Sequence, residues 1–219
     1  MAMRDVLAQL AQEYAGTTGQ HVEIESVGGV TAARRVESGE AFDIVVLAAD
    51  AIDRLDTAGR IVSGSRVELA RSGVAVAVAA GKPRPSIGSE AELRDAILSA
   101  RSIGYSTGPS GAHLIQLFER WGITRDIQER IVQAPTGVPV GALVARGEVE
   151  LGFQQLSELW NQPGIDVIGP LPDEIQVITV FSAAICATCT RLVAARALLS
   201  FLTSREAEFA KRAHGMAPA

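Results

Sequence analysis

Clustered positive charge, cysteine, aromatic side chains and long apolar runs are all scarce in this chain of 219 residues. Lys and Arg total 20 against 25 Asp and Glu, a net charge of −5. With no basic block, the phosphate contacts that drive nucleic-acid binding have no source, so no nucleic-acid partner is expected. The longest apolar stretch, Val74 to Ala80, is only strand length, far short of a membrane span. No lipidation signal and no long low-complexity segment is present. The two cysteines, Cys186 and Cys189, are too few for a four-thiolate zinc site. Their CxxC spacing fits a thioredoxin-like strand-to-helix position loosely, but the small and aromatic neighbours of such sites are missing. No cofactor and no metal is expected.

What the chain has is apolar content, 47% of its residues, mostly Ala, Val and Ile. That is enough to build one large domain or two small lobes, and it excludes a disordered chain. Residues 1–12 read directly as an amphipathic helix with Val6, Leu7, Leu10 and Ala11 on one face. No signal pattern precedes it, so either the protein is cytoplasmic or the chain begins after a secreted leader.

Beyond that helix, strand and helix patterns alternate, the mark of an α/β protein with mostly parallel sheets. Strands are expected at Val22–Ser26, Asp43–Ala48, Val67–Ala79, Ser102–Tyr105, Glu150–Gln155, Ile165–Pro172 and Val177–Ile185. Helices are expected at Ala32–Ser38 with Thr31 as cap, and at Ala51–Ala58 and Ser89–Ala100. Ser89 followed by Glu92 opens the last of these as a capping box. Further helices fall at Leu114–Trp121, Val140–Arg146, Leu192–Leu202 and Arg205–Ala213. The strands Val67–Ala79 and Val177–Ile185 are long enough to run between two lobes.

The most informative stretch is 104–113, Gly-Tyr-Ser-Thr-Gly-Pro-Ser-Gly-Ala-His, ahead of the Leu114 helix. A hydroxyl- and glycine-rich turn at a helix start leaves backbone N–H groups free at the positive end of the dipole, an anion-binding device. Ser106, Thr107, Ser110 and Gly111 are its candidate donors. A plain capped loop explains the same residues. His113, in the first turn, is either a packed histidine or a base able to move a proton. In open parallel sheets, ligands sit at the carboxyl ends of strands. Arg71-Ser72 and Gln154-Gln155 occupy two more such ends; alternation along a strand lets only one glutamine face the site. His214 reads as capping or packing, and His21 as solvent-facing.

Residues 33–39 (Ala-Arg-Arg-Val-Glu-Ser-Gly), then 42–50 (Phe-Asp-Ile-Val-Val-Leu-Ala-Ala-Asp), and 147–153 (Gly-Glu-Val-Glu-Leu-Gly-Phe) carry a family likeness. The chain resembles the periplasmic solute-binding proteins of the molybdate-binding type, over essentially its whole length. The resemblance implies a two-lobed type II periplasmic-binding-protein-like α/β fold, each lobe a mostly parallel sheet flanked by helices. Lobe 1 would be residues 1–71 plus 184–219, lobe 2 residues 72–183, with hinges near 70–74 and 177–183. Family members carry a signal peptide and a first strand ahead of the opening helix, so that strand is apparently missing here. A monomer is expected, a swapped dimer being the alternative.

The resemblance implies a periplasmic protein that captures a small anion between its lobes and hands it to a membrane ABC permease. Its site would draw on Thr31, Arg71, Ser72, Ser106, Thr107, Ser110, Gly111, Val138 and Gln155. Three departures weigh against molybdate and tungstate: the first-strand serine is absent, Gly29 stands at the second serine with Thr31 two positions on, and Gln155 stands where the family places a tyrosine. Arg71 suits a larger carboxylate, which benefits from a bidentate guanidinium. A closer likeness, at 71–74, 110–113, 153–159 and 214–215, is to a branch that includes the enzyme aconitate isomerase. It implies, as the alternative, an isomerase of a small tricarboxylate in the same cleft, with His113 moving the proton.

Overall fold

The computed structural model describes residues 2–219. The chain folds as two compact units, residues 1–72 with 179–219 and residues 73–178. No described helix is long and apolar enough to cross a membrane.

The discontinuous unit contains helices α1 (Arg4–Thr18), α2 (Gly29–Glu37) and α3 (Ala49–Thr57), with strand β1 (Ile44–Ala48) between the last two. Strand β2 (Val67–Ala79) begins in this unit and continues into the next. The continuous unit holds helix α4 (Glu90–Ser99), strand β3 (Ile103–Tyr105), helix α5 (Pro109–Arg120), helix α6 (Thr124–Ile127) and strand β4 (Ile131–Gln133). It continues through α7 (Val140–Ala145), β5 (Leu151–Gln155), α8 (Leu156–Leu159) and β6 (Ile165–Pro170). Strand β7 (Ile178–Ile185) then returns to the first unit, which closes with α9 (Leu192–Leu202), α10 (Ala207–Ala213) and β8 (Ala217–Pro218).

The α/β class matches the sequence reading; the strand directions are mixed rather than mostly parallel. In the continuous unit the order is β6-β2-β5-β3-β4. Only β5, β3 and β4 run parallel; β2 is antiparallel to both its neighbours. In the other unit β1 pairs antiparallel with β7 and β8 antiparallel with β2. Parallel neighbours need a covering crossover, and α5 and α7 supply one on either side of β4. β2 and β7 enter from another unit and are free of that constraint.

Two expectations fail locally. Residues 20–28 form neither helix nor strand, although Val22–Ser26 alternates, because no described strand pairs with them. Alternation gives a strand its two faces, but a ladder partner is still needed to make one. Thr31 does not cap α2: the helix starts at Gly29, Gly28 is the N-cap, and Thr31 lies exposed within the first turn. Ser89 does cap α4, its hydroxyl accepting from Glu92 N at 3.2 Å.

The cores are aliphatic, as the composition requires. Val74, Val76, Leu93, Ile97, Ile103, Leu114, Phe118 and Phe153 are fully buried in the continuous unit. There Gly104 and Gly152 face each other on β3 and β5. A Cβ on Gly104 would lie 2.7 Å from Val149 and one on Gly152 2.4 Å from Val144. The missing side chains let α7 lie close against the parallel strands. In the discontinuous unit Val6, Leu10 and Leu69 pack with Ile185, Leu199 and Leu202.

Candidate functional site

The parallel strands β5, β3 and β4 end together, Tyr105 pairing with both Phe153 and Gln133. Three segments leave that carboxyl edge: 106–108 into α5, 134–139 into α7, and Gln155 directly into α8. This is where the ligand sites of parallel sheets form.

The turn before α5 is shorter than the sequence suggested. The helix begins at Pro109, not Leu114, because proline at the first helical position costs no hydrogen bond and presets φ. Gly108 is the N-cap and offers no side-chain cap. Gly111 N and Ala112 N both turn back to Gly108 O at 3.1 Å, and no described group accepts from Ser110 N. Ser106 Oγ accepts from Gly108 N at 3.3 Å and lies 3.2 Å from Ser110 Oγ. The result is two hydroxyls and a spare N–H at the positive end of a 12-residue helix.

Gly111 fixes this geometry. A Cβ there would sit 1.7 Å from Ser106 O and 2.9 Å from the Tyr105 ring. The helix backbone thus rests directly on the turn it caps, and Ser110 is 1% exposed. Thr107 is exposed, and Val138 is half-buried against the cluster around Val140 and Val144.

Both glutamines of β5 are buried. Gln154 Oε1 accepts from Val140 N, the first N–H of α7, at 2.8 Å. Its amide also bonds the carboxyl of Glu158. Gln155, opposite Val74, is the last residue of the strand. Burial pushes the Glu158 carboxyl up, against the opposing pull of the Gln154 amide. That glutamate lies in the quoted 153–159 segment, yet the raising of its pKa depends on burial that no local pattern announces.

His113 Nε2 lies 2.7 Å from Ile175 O. A carbonyl only accepts, so Nε2 carries the proton and Nδ1 is the basic nitrogen of the neutral ring. Next along, Gln176 Oε1 accepts from Val74 N and Val177 N at 2.9 Å, and its Nε2 donates to Val74 O at 3.0 Å. Gln176 carried no sequence signal beyond being the polar residue between Ile175 and Val177.

Thr31, Arg71 and Ser72 belong to the other unit. Arg71 is exposed, opposite Ala217 in the ladder, with its guanidinium 3.2 Å from Glu68. Ser72 is 3% exposed. Cys186 and Cys189 are free thiols. Burial pushes Cys186 up to about 12, and burial also raises Cys189, the opposite of an activated thiolate. Among the described residues no group of His, Cys, Asp and Glu is placed to hold a metal ion. An open groove lined by Ile87, Pro170 and Asp173 contains none of the expected site residues.

The model of the bacterial extracellular solute-binding protein family matches residues 1–217. The chain belongs to that family. It is 37% identical to an aconitate isomerase from a Pseudomonas species over 218 residues, 97% of this chain and 83% of that one. It is 26% identical to the molybdate-binding protein ModA of Azotobacter vinelandii, over 81% of this chain and 73% of that protein. The solved periplasmic molybdate-binding protein of the same organism superposes with a TM-score of 0.81 at 24% identity, covering 98% of this chain and 95% of that one. Within that family the chain is similar both to an aconitate isomerase and to molybdate-binding proteins.

Proposed function

We propose that this solute-binding protein captures a small carboxylate anion, seated at the carboxyl edge of β5-β3-β4 on the start of α5. The observation that carries the reading is the Ser106–Ser110 hydroxyl pair, packed on Gly111 beside the spare Ser110 N–H. Neutral donors at a helix terminus hold an anion without a counter-charge. Delivery to a membrane ABC permease fits the family.

Thermal unfolding in the presence of citrate, cis- and trans-aconitate, molybdate and sulfate tests this. A ligand at 100 times its dissociation constant stabilises the native state by about 2.7 kcal/mol. Ser110→Ala removes one hydrogen bond to a charged ligand and weakens affinity about 10- to 100-fold. A shift with molybdate alone, or an unchanged affinity in Ser110→Ala, overturns the proposal.

The 37% identity to aconitate isomerase over 97% of the chain favours a second reading, in which the bound tricarboxylate is also isomerised. A base would take a carbon-bound proton, the double bond would shift, and the proton would return to the allylic carbon. His113 Nδ1 and the buried Glu158 carboxyl, both in this unit, are the candidates we test for that role. Proton NMR of cis-aconitate in deuterated buffer separates the readings. An isomerase gives the trans isomer with deuterium incorporated, abolished in His113→Ala or Glu158→Gln; a binder gives a thermal shift and no turnover.

A further inference from the structure

Cys186 and Cys189 take no part in the anion site, yet the backbone places them with care. β7 ends at Ile185 and the chain reverses at once, Cys189 N donating to Cys186 O at 3.0 Å. That bond closes a β-turn with Ala187 and Thr188 at its corners. A β-turn holds its first and fourth Cα atoms within about 7 Å, and a disulfide spans about 4.4–6.8 Å. The turn is stitched down on three sides. Cys186 N donates to Asp43 O at 3.0 Å, Ala187 N to Arg60 O at 2.9 Å, and Thr188 Oγ1 to Phe42 O at 3.0 Å.

We propose that Cys186 and Cys189 close an intra-turn disulfide when the protein matures in an oxidising environment. The turn bond holds the two backbones at a separation that a disulfide can span, and the two side chains, now packed against different apolar clusters, must turn toward each other to close it. Cys189 Sγ now donates to Asp43 Oδ1 at 3.2 Å; on rotation Asp43 keeps Arg191 as its partner. The family is extracellular, where disulfides persist.

The oxidant is a small-molecule disulfide such as oxidised glutathione. One cysteine thiolate attacks it, forming a mixed disulfide and releasing one glutathione thiolate. The second cysteine thiolate then attacks the protein sulfur of that mixed disulfide and releases the other. Two protein thiols are oxidised, one glutathione disulfide is reduced to two thiols, and the two cysteine protons pass to the leaving thiolates. The bond forms before the turn is buried, because in the folded chain Cys186 is 1% exposed and out of reach of a dissolved disulfide. This is a structural crosslink, distinct from a thioredoxin-like redox pair.

The test is to refold the unfolded, reduced chain in a buffer of reduced and oxidised glutathione. The product is unfolded in iodoacetamide, and its intact and peptide masses are measured. The expected product is lighter by two hydrogens, unalkylated, with one peptide carrying both cysteines linked. Cys186→Ser and Cys189→Ser should each accumulate a glutathione adduct in its place. Two alkylated cysteines in the refolded wild-type chain, a persistent glutathione adduct, or disulfide-linked dimers would each overturn the proposal. Adding the same oxidant to the already folded, reduced protein should give the bond at least tenfold more slowly; equal rates refute the order of events.

Discussion

Replacing Gly111 with alanine sets two well-known effects against each other. In a helix, alanine is favoured over glycine by about 1 kcal/mol, so Gly111→Ala in α5 should stabilise if the helix were exposed. The structure predicts the opposite sign. The new Cβ would lie 1.7 Å from Ser106 O, about half a normal contact distance, and that oxygen is backbone. Either the 106–108 turn or the first turn of α5 must move by more than an ångström. Overpacking of this kind costs about 1–3 kcal/mol, and the loss of the Ser106–Ser110 contact adds to it. The net expectation is a fall of about 4–8 °C in the midpoint for a chain of this size. Gly16→Ala is the matched control: Gly16 lies within α1 and nothing stands within 4 Å of a Cβ there. It should gain about 0.5–1 kcal/mol. Differential scanning calorimetry of both variants settles the matter. A midpoint for Gly111→Ala at or above wild type refutes the close approach, and with it the geometry assigned to the anion site.

Ser89→Ala removes the α4 cap and should cost about 1 kcal/mol in urea unfolding, with an unchanged m-value. Gln176→Ala leaves buried Val74, midway along β2, without its N–H acceptor; a loss of about 2 kcal/mol or more is expected, together with faster hydrogen exchange at Val74. Lys211 is 3% exposed and burial lowers its ammonium, with Glu208 opposing. Its folded value is below its unfolded one, so folding expels a proton, and stability rises with pH up to about 10.5. Lys211→Met should therefore raise the midpoint at pH 7 and show a shrinking advantage as the pH approaches 10. A constant difference across that range would refute the linkage.

Elements whose signal is carried within their own residues were legible in the sequence. The α9 boundaries, the Ser89 cap and the Val67–Ala79 strand needed no distant partner to be recognised. What escaped depended on neighbours remote in sequence. Val22–Ser26 has the alternation of a strand but no ladder, and β2 takes its direction from β5 and β6. The start of α5 was misjudged by five residues, because a run of Ser, Gly and Pro reads equally as turn or as helix N-terminus. At the site, the hydroxyls and His113 were visible as residue types. The pairing of Ser106 with Ser110 and the anchoring of His113 on Ile175 were not, since the second joins residues 62 positions apart.

The discontinuity of one unit also sets the order in which the protein can assemble. Residues 73–178 form an uninterrupted stretch and can reach their final packing as soon as they leave the ribosome. The other unit cannot. Val6 and Leu10 of α1 await Phe181, Leu199 and Met216, nearly the whole chain later. Helix α1 is therefore sheltered long after it is made, and until then its apolar face is what a chaperone would meet. A premature stop directly after residue 178 would leave the continuous unit whole, while its companion kept α1, α2 and β1 but lost the strand and helices that cover them.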